Sequence, residues 1–318
     1  MTARPQGARR HPSEAPRSRP DWRLLGILLV ALVLRGGLLL VAAGNDERLE
    51  STDVPEYLSL ARDLRGGYVD EADPLFEIGL KRTPAYPAFL ALVLAASGGS
   101  VEWATFVGIL IAVGTVGLTF ALARDLFGPP AGYGAALLIA IDPASVAWSN
   151  FLQPESLFTL LLTGAVVLWY RAQRHGLPWQ AAVAGLLVGV AILTRPVALY
   201  LPLVLVAVGW LIARVGVRQR IAVGLTFLIV SALPVAAWVT RNVAVTGVAF
   251  VSTVESLNML YYRAAGAVAE EQGISVRQAR QRLFAEVDGR RGPGENAAEL
   301  ARRRTALGVQ TLLDHPVG

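Results

Sequence analysis

The apolar residues of this chain come in runs about as long as a bilayer crossing, and this limits the fold more than any motif does. A hydrocarbon core about 30 Å thick asks for roughly 20 apolar helical residues. Residues 24–43, 101–123, 131–148 and 220–238 meet that length or approach it, and 154–170 is slightly short but continuous. The stretch 180–213 is too long for one crossing and carries Thr194-Arg195-Pro196 near its middle. Proline disfavours helix in the residue before it and cannot donate a backbone hydrogen bond. Two short crossings, 180–193 and 197–213, therefore meet at a corner on one membrane face. The expected fold class is an all-α polytopic membrane protein with about seven transmembrane helices. The remaining apolar run, Ala85–Ala96, suits a re-entrant or interfacial helix better than a full span.

Composition agrees. Hydrophobic residues make up 54% of the 318 and charged residues 17%, against roughly 25% charge in an ordinary soluble domain. There is no cysteine, so disulfides, thiolate metal sites and cysteine nucleophiles are excluded. His11, His175 and His315 are too scattered to suggest a metal site. Lys81 is the only lysine, and the net charge of +5 comes from arginines placed mainly between apolar runs. That pattern points to membrane topology and not to nucleic acid.

Arg4, Arg9, Arg10, Arg17, Arg19 and Arg23 precede the first run. With seven crossings, Arg124, then Arg171 and Arg174, then Arg214, Arg218 and Arg220 fall on the same side. Basic short loops mark the cytoplasmic face. The expectation is a multi-pass protein of the cytoplasmic (inner) cell membrane with its N-terminus inside. Residues 1–21 read as a disordered basic tail, 22–240 as the membrane module with an external loop at 44–99, and 241–318 as an external, partly helical segment. The first apolar run exceeds the usual h-region of a signal peptide, which favours an uncleaved anchor.

This topology gathers the polar groups at the outer face. The loop opens with Asn45-Asp46-Glu47-Arg48. Asp53 then precedes a helical pattern of Tyr57, Leu58, Leu60, Ala61 and Leu64 that ends at Gly66-Gly67. Asp53 stands where an N-cap belongs, so a helix cap and a chemical role are both open. Lys81-Arg82-Thr83-Pro84-Ala85-Tyr86-Pro87 sets two cations beside stiff backbone. Glu155 follows Pro154 in the first turn of a helix, where an acid favours the dipole. Arg195 and Arg241 end two spans, as phosphate clamps or as snorkelling anchors. Arg35 lies inside the first span and is expected to face the bundle interior. Asp142, before Pro143, raises the same question. Helical stripes at 278–287 and 298–313 read as packing elements or as determinants of acceptor choice.

In this order and on one face, these residues resemble the membrane glycosyltransferases of the GT-C fold, in the branch related to protein O-mannosyltransferases and lipid A aminoarabinose transferases. The matching segments are Asp53-x-x-Glu56-Tyr57, Arg82-Thr83-Pro84-Ala85-Tyr86-Pro87, Pro154-Glu155-Ser156-Leu157-Phe158, Gly185 through Thr194-Arg195-Pro196, and Leu233-Pro234 through Trp238, Arg241-Asn242, Gly247 and Ser252-Thr253, covering about 53–258. The resemblance implies an inverting transfer of a sugar from a polyprenyl-phosphate donor, lodged with the membrane lipid, to a glycan, lipid or protein acceptor. It makes Asp53 and Glu155 the catalytic pair, Asp53 as general base, and puts Glu56, Tyr57, Lys81, Arg82, Tyr86, Arg195 and Arg241 on the substrate. Relatives place a second acid after the aspartate where this chain has Val54, which leaves a divalent metal open as cofactor. They also carry a His-Pro like His315-Pro316 just before returning to the membrane, so a shortened, non-catalytic relative is one alternative. A lipid or sugar transporter is another; it predicts paired ions at mid-membrane and an internal repeat.

Overall fold

The computed structural model describes residues 21–42, 53–63, 73–292 and 294–316, and among them every regular element is a helix. The expected basic tail, Asn45-Asp46-Glu47-Arg48, Leu64 and Gly66-Gly67 lie outside the described residues. The chain runs through α1 (Trp22–Ala42), the short α2 (Val54–Arg62) and α3 (Phe76–Lys81), α4 (Ala85–Ala96) and α5 (Val101–Phe127). It continues through α6 (Pro129–Ile141), α7 (Pro143–Trp148), α8 (Glu155–His175) and α9 (Pro178–Thr194). A 3₁₀ turn (Pro196–Ala198), α10 (Leu201–Ile212) and α11 (Val217–Thr246) complete the apolar part. The polar remainder holds α12 (Val254–Leu257), a π-helical turn (Asn258–Ala264), α13 (Ala265–Gln272), α14 (Val276–Gly289) and α15 (Ala297–Asp314).

Three of these helices, α1, α5 and α11, are long and apolar enough by themselves to cross a membrane. The others expected to cross are shorter or more polar, and proline explains much of the shortening. The expected span 131–148 is divided: α6 ends at Ile141, Asp142 turns extended, and α7 starts on Pro143 with Asp142 accepting from the Ser145 amide at 2.6 Å. Ending a helix inside an apolar layer strands backbone carbonyls. Arg35 answers that need. Its guanidinium, fully buried, donates to the carbonyls of Ala140 at 2.9 Å and Ile139 at 3.0 Å and to Ser145 Oγ at 2.8 Å. Arg35 does face the interior, as a plug for a broken helix, and Asp142 caps the piece that follows.

The corner at Arg195-Pro196 forms as expected, but the following span opens with the 3₁₀ turn and α10 begins only at Leu201. The short run is helical over Ala85–Ala96. The two C-terminal stripes become α14 and α15, whose Ala279, Leu283, Val287 and Leu300 pack with Leu260 and Val268 in a core of their own.

The closest helix pair is α9 on α11. A Cβ on Gly185 would stand 2.5 Å from the Phe227 carbonyl oxygen, and one on Gly189 2.6 Å from that of Ser231. Two glycines four apart let the backbones touch, which replaces the missing hydrophobic drive inside lipid with close packing. Pro234 sits within α11 against Gly189, where the lack of a side chain leaves room for its ring. Antiparallel α8 lies beside α9 after a turn through Gly176 in the left-handed region, φ +64. Glu155 at the start of α8 and Arg195 at the end of α9 thus come to the same end of the bundle.

Candidate active site

At that end the short helices form a charged wall. Thr83, before Pro84, is kept out of helix, so α3 stops at Lys81 and the chain turns extended at Arg82 before α4 begins. α2 packs across α4 through Val54, Tyr57 and Ala61 against Tyr86, Leu90 and Leu94. The Tyr57 and Tyr86 rings meet edge to face at 4.9 Å. This packing aims the acids of α2 at the cations of α3.

Arg82 is the hub. Its Nη2 donates to Asp53 Oδ1 at 2.5 Å and its Nε to Glu56 Oε2 at 2.6 Å, while its guanidinium lies over the Tyr57 ring at 4.9 Å. Lys81 Nζ donates to Glu56 Oε1 at 2.7 Å. Burial works against the Arg82 charge, but the hydrogen bonds and charge of the Asp53 and Glu56 carboxylates more than offset it and push its pKa above the usual range. Burial raises the Tyr57 phenol; Arg82 opposes this, while the Asp53 and Glu155 carboxylates add to it. Tyr57 therefore stays a neutral phenol. Across the site a second ion pair joins Arg195 to Glu155 Oε1, and the other carboxylate oxygen of Glu155 is buried without a partner.

Asp53 does stand at the N-cap position of α2, yet its side chain makes no capping bond. The carboxylate turns to Arg82 instead and stays 44% exposed.

The two ion-pair groups border one cavity of about 440 Å³, lined by Asp53, Tyr57, Lys81, Arg82, Glu155 and Arg195 among others. Three expected substrate residues fall outside its lining. Glu56 sits behind the wall, holding Lys81 and Arg82. Tyr86 is 4% exposed and supports Tyr57. Arg241, near the C-terminal end of α11, stacks on Trp238 at 4.9 Å and donates to Asn242 Oδ1 at 3.0 Å.

Sequence reasoning missed the rest of the lining. Thr83, Thr194 and Tyr200 come from the proline corners, and Glu255, Asn258 and Arg263 from the segment after α11. That segment is folded back by side chains that bond its carbonyls: Trp238 Nε1 to Val251 at 2.8 Å and Asn242 Nδ2 to Phe250 at 3.0 Å. Ser252 Oγ then donates to the Lys81 carbonyl at 2.5 Å and the Thr253 amide to that of Leu80 at 3.0 Å. The resemblance included Ser252-Thr253, the one sequence signal that the chain returns here.

Among the described residues no three His, Cys, Asp or Glu side chains gather as a metal would need. Asp53, Glu56 and Glu155 each engage a cation, so as arranged they do not form a ligand set.

The fold and site define a class: a multi-pass, all-α membrane protein with an acid- and cation-lined cavity at one end of its bundle. Comparison with known families makes this specific. Residues 81–240 match the model of the dolichyl-phosphate-mannose-protein mannosyltransferase family, and the chain belongs to that family, which is one of glycosyltransferases. No curated protein matches the chain.

Proposed function

We propose that the protein is an inverting glycosyltransferase that moves a sugar from a polyprenyl-phosphate donor to a glycan, lipid or protein acceptor at the outer face of the cytoplasmic membrane. One observation carries the reading: Asp53, free of any capping duty, shares a cavity with Lys81, Arg82, Glu155 and Arg195. In the reaction, Asp53 takes the proton of the acceptor hydroxyl as that oxygen attacks the anomeric carbon. The bond from that carbon to the carrier oxygen breaks, and the phosphate leaves with the electron pair. Charge grows on the leaving phosphate, and Lys81, Arg82 and Arg195 stand fixed at its level, where preorganised cations are most effective. Glu155 holds Arg195 in place. The isoprenoid tail stays among the apolar helices, beside the exposed Val197 and Tyr200 at the cavity margin.

The test is transfer of radiolabelled sugar in membranes supplied with polyprenyl-phosphate donors. Transfer supports the reading, whereas movement of the labelled lipid between leaflets without transfer would establish a transporter. Sidedness has its own test, because the chain lacks cysteine. Glu102→Cys, at the cavity end of α5, should react with an impermeant maleimide from outside. His175→Cys should react only after permeabilisation. The reverse result would put Asp53 inside the cell and remove the proposed topology.

A further inference from the structure

At the end of the bundle away from the cavity, α10 and α11 are joined by the turn 213–216, with Arg214 before Gly216 and Arg218 after it. Both arginines are exposed. Among the described residues neither side chain has a hydrogen-bond or ion-pair partner. Neighbouring cations at this end are engaged: Arg124 and Arg171 with Asp125, and Arg174 with the Tyr170 ring at 5.6 Å. The turn is anchored without its two free guanidiniums. Arg220 donates through Nε to the Val215 carbonyl at 2.8 Å and through Nη2 to that of Ala213 at 3.1 Å. The Arg214 amide donates to the Gln173 carbonyl at 3.2 Å, and Gln219 Nε2 to that of Gly176 at 2.7 Å. A snorkelling arginine reaches the headgroup layer on its own flexible stem and needs no fixed backbone. Here the backbone is fixed to the C-terminal end of α8, so the two guanidiniums flank a preorganised place for an anion.

Each of the two helices also leaves one face without a protein neighbour. The inner face of α10 lies on α8, where Trp169 Nε1 donates to the Leu205 carbonyl at 2.9 Å and Gly209 makes room for the Trp169 ring. On its outer face Val204, Val208 and Leu211 stay exposed. The inner face of α11 presents Phe227 and Ser231 to the glycines of α9. Its Ile221, Leu225 and Ile229, each four residues after the last, stay exposed. Both apolar stripes start at the arginine turn and run along the helices away from it.

We infer that this turn is the headgroup site of an anionic phospholipid: Arg214 and Arg218 hold its phosphate, and its two acyl chains lie along the exposed faces of α10 and α11. Charge selects the occupant. A second copy of the chain docked here about a twofold axis would set like cations against each other. A zwitterionic lipid brings its own cation beside the phosphate. An anionic lipid neutralises both arginines and covers both stripes at once. It thereby fastens the α10–α11 pair at the end that no acid of the described chain reaches. The inference goes beyond the glycosyltransferase reading and stands or falls without it.

The test is a titration of phosphatidylglycerol into the full chain in a neutral detergent, followed by the rise in Tm. Phosphatidylglycerol should raise Tm to a plateau, and phosphatidylcholine at the same concentrations should not. R214Q/R218Q should need about thirtyfold more phosphatidylglycerol for the same rise, and R214K/R218K should need little more than the unaltered chain. R277Q/R302Q removes the same charge from exposed positions on α14 and α15 and should respond as the unaltered chain does. If R214Q/R218Q does not fold, R214Q alone should show about a fivefold loss. An equal response of R214Q or R214Q/R218Q and the unaltered chain overturns the assignment, as does an equal response to phosphatidylcholine. Glycerol 3-phosphate raising Tm as phosphatidylglycerol does would make this a site for a free phosphate and overturn the lipid. A Tm that rises with protein concentration and ignores phosphatidylglycerol would give the face to a second copy. Polyprenyl phosphate acting at lower concentration than phosphatidylglycerol would give it to the carrier, and either result sinks the inference. None of these outcomes bears on sugar transfer, which is measured separately.

Discussion

The two ends of α8 carry the same kind of interaction and put it to different use. At its C-terminal end Arg171 meets Asp125 at 2.7 Å, Arg124 adds a contact at 3.1 Å, and Tyr170 donates to the Asp125 carbonyl at 3.2 Å. At its N-terminal end Glu155 pairs with Arg195 across from the Asp53–Arg82–Glu56 group. The first cluster ties α5 to α8. The second surrounds a cavity, is supported from behind by Glu56 and Tyr86, and includes a carboxylate oxygen of Glu155 with no partner. Ion pairs alone therefore do not mark a site. At the N-terminal end of α8 the pairs stand beside open volume, and a further layer fixes them.

The largest effect should come from Asp53. D53N keeps shape and hydrogen-bonding capacity but removes the base, and transfer should fall by roughly 10²–10⁴-fold, measured as initial rate of label transfer, with carrier binding retained. A variant of near-normal rate would show that the cavity end is no more chemical than the Asp125 end. Next is a change that touches no charge. G185A drives a Cβ into the Phe227 carbonyl, at 2.5 Å in the present geometry. Neither backbone can yield cheaply, so a loss of about 1–3 kcal/mol is expected, read as a lowered Tm in detergent. Since α9 leads directly into Arg195, transfer should fall as well.

Glu56 comes third. E56Q leaves Lys81 and Arg82 without their shared carboxylate, at a residue that does not line the cavity. The expected result is about a tenfold loss of transfer, near 1.4 kcal/mol, with kcat affected more than KM and partial recovery in E56D. A pure KM effect would instead return Glu56 to the substrate side of the wall.

Some of this was legible in the sequence and some was not, for local physical reasons. The apolar runs that become α1, α5 and α11, the corner at Pro196 and the stripes of α14 and α15 depend on patterns within one segment, and these appear in the structure. Proline shows the limit. Pro143 ends one helix and starts another, whereas α11 passes through Pro234 without a break. The difference lies in distant partners: Arg35 satisfies the carbonyls freed at 139 and 140, and Gly189 makes room for the ring of Pro234. The site divides in the same way. The acids and cations of the first loop and the span ends could be named from residue type and place. Their pairing could not, nor could the return of Glu255 and Arg263, which lie in a polar stretch that carries no periodic signal of a cavity wall.

The smallest prediction completes the comparison from the other end. D125N should leave transfer unchanged within about twofold, because nothing it touches lines the cavity. Asp125 serves two arginines, and the side chain of Arg124 is 44% exposed. Solvent screens such a pair, so the stability lost should be about 0.2–1 kcal/mol, a shift of a degree or two in Tm. Salt should reduce the gap between D125N and the unaltered chain, since exposed pairs weaken as ionic strength rises. If D125N instead lowered transfer as much as E56Q, the bundle would be coupling its two ends along α8, and the distinction between a stitch and a site would have to be drawn elsewhere.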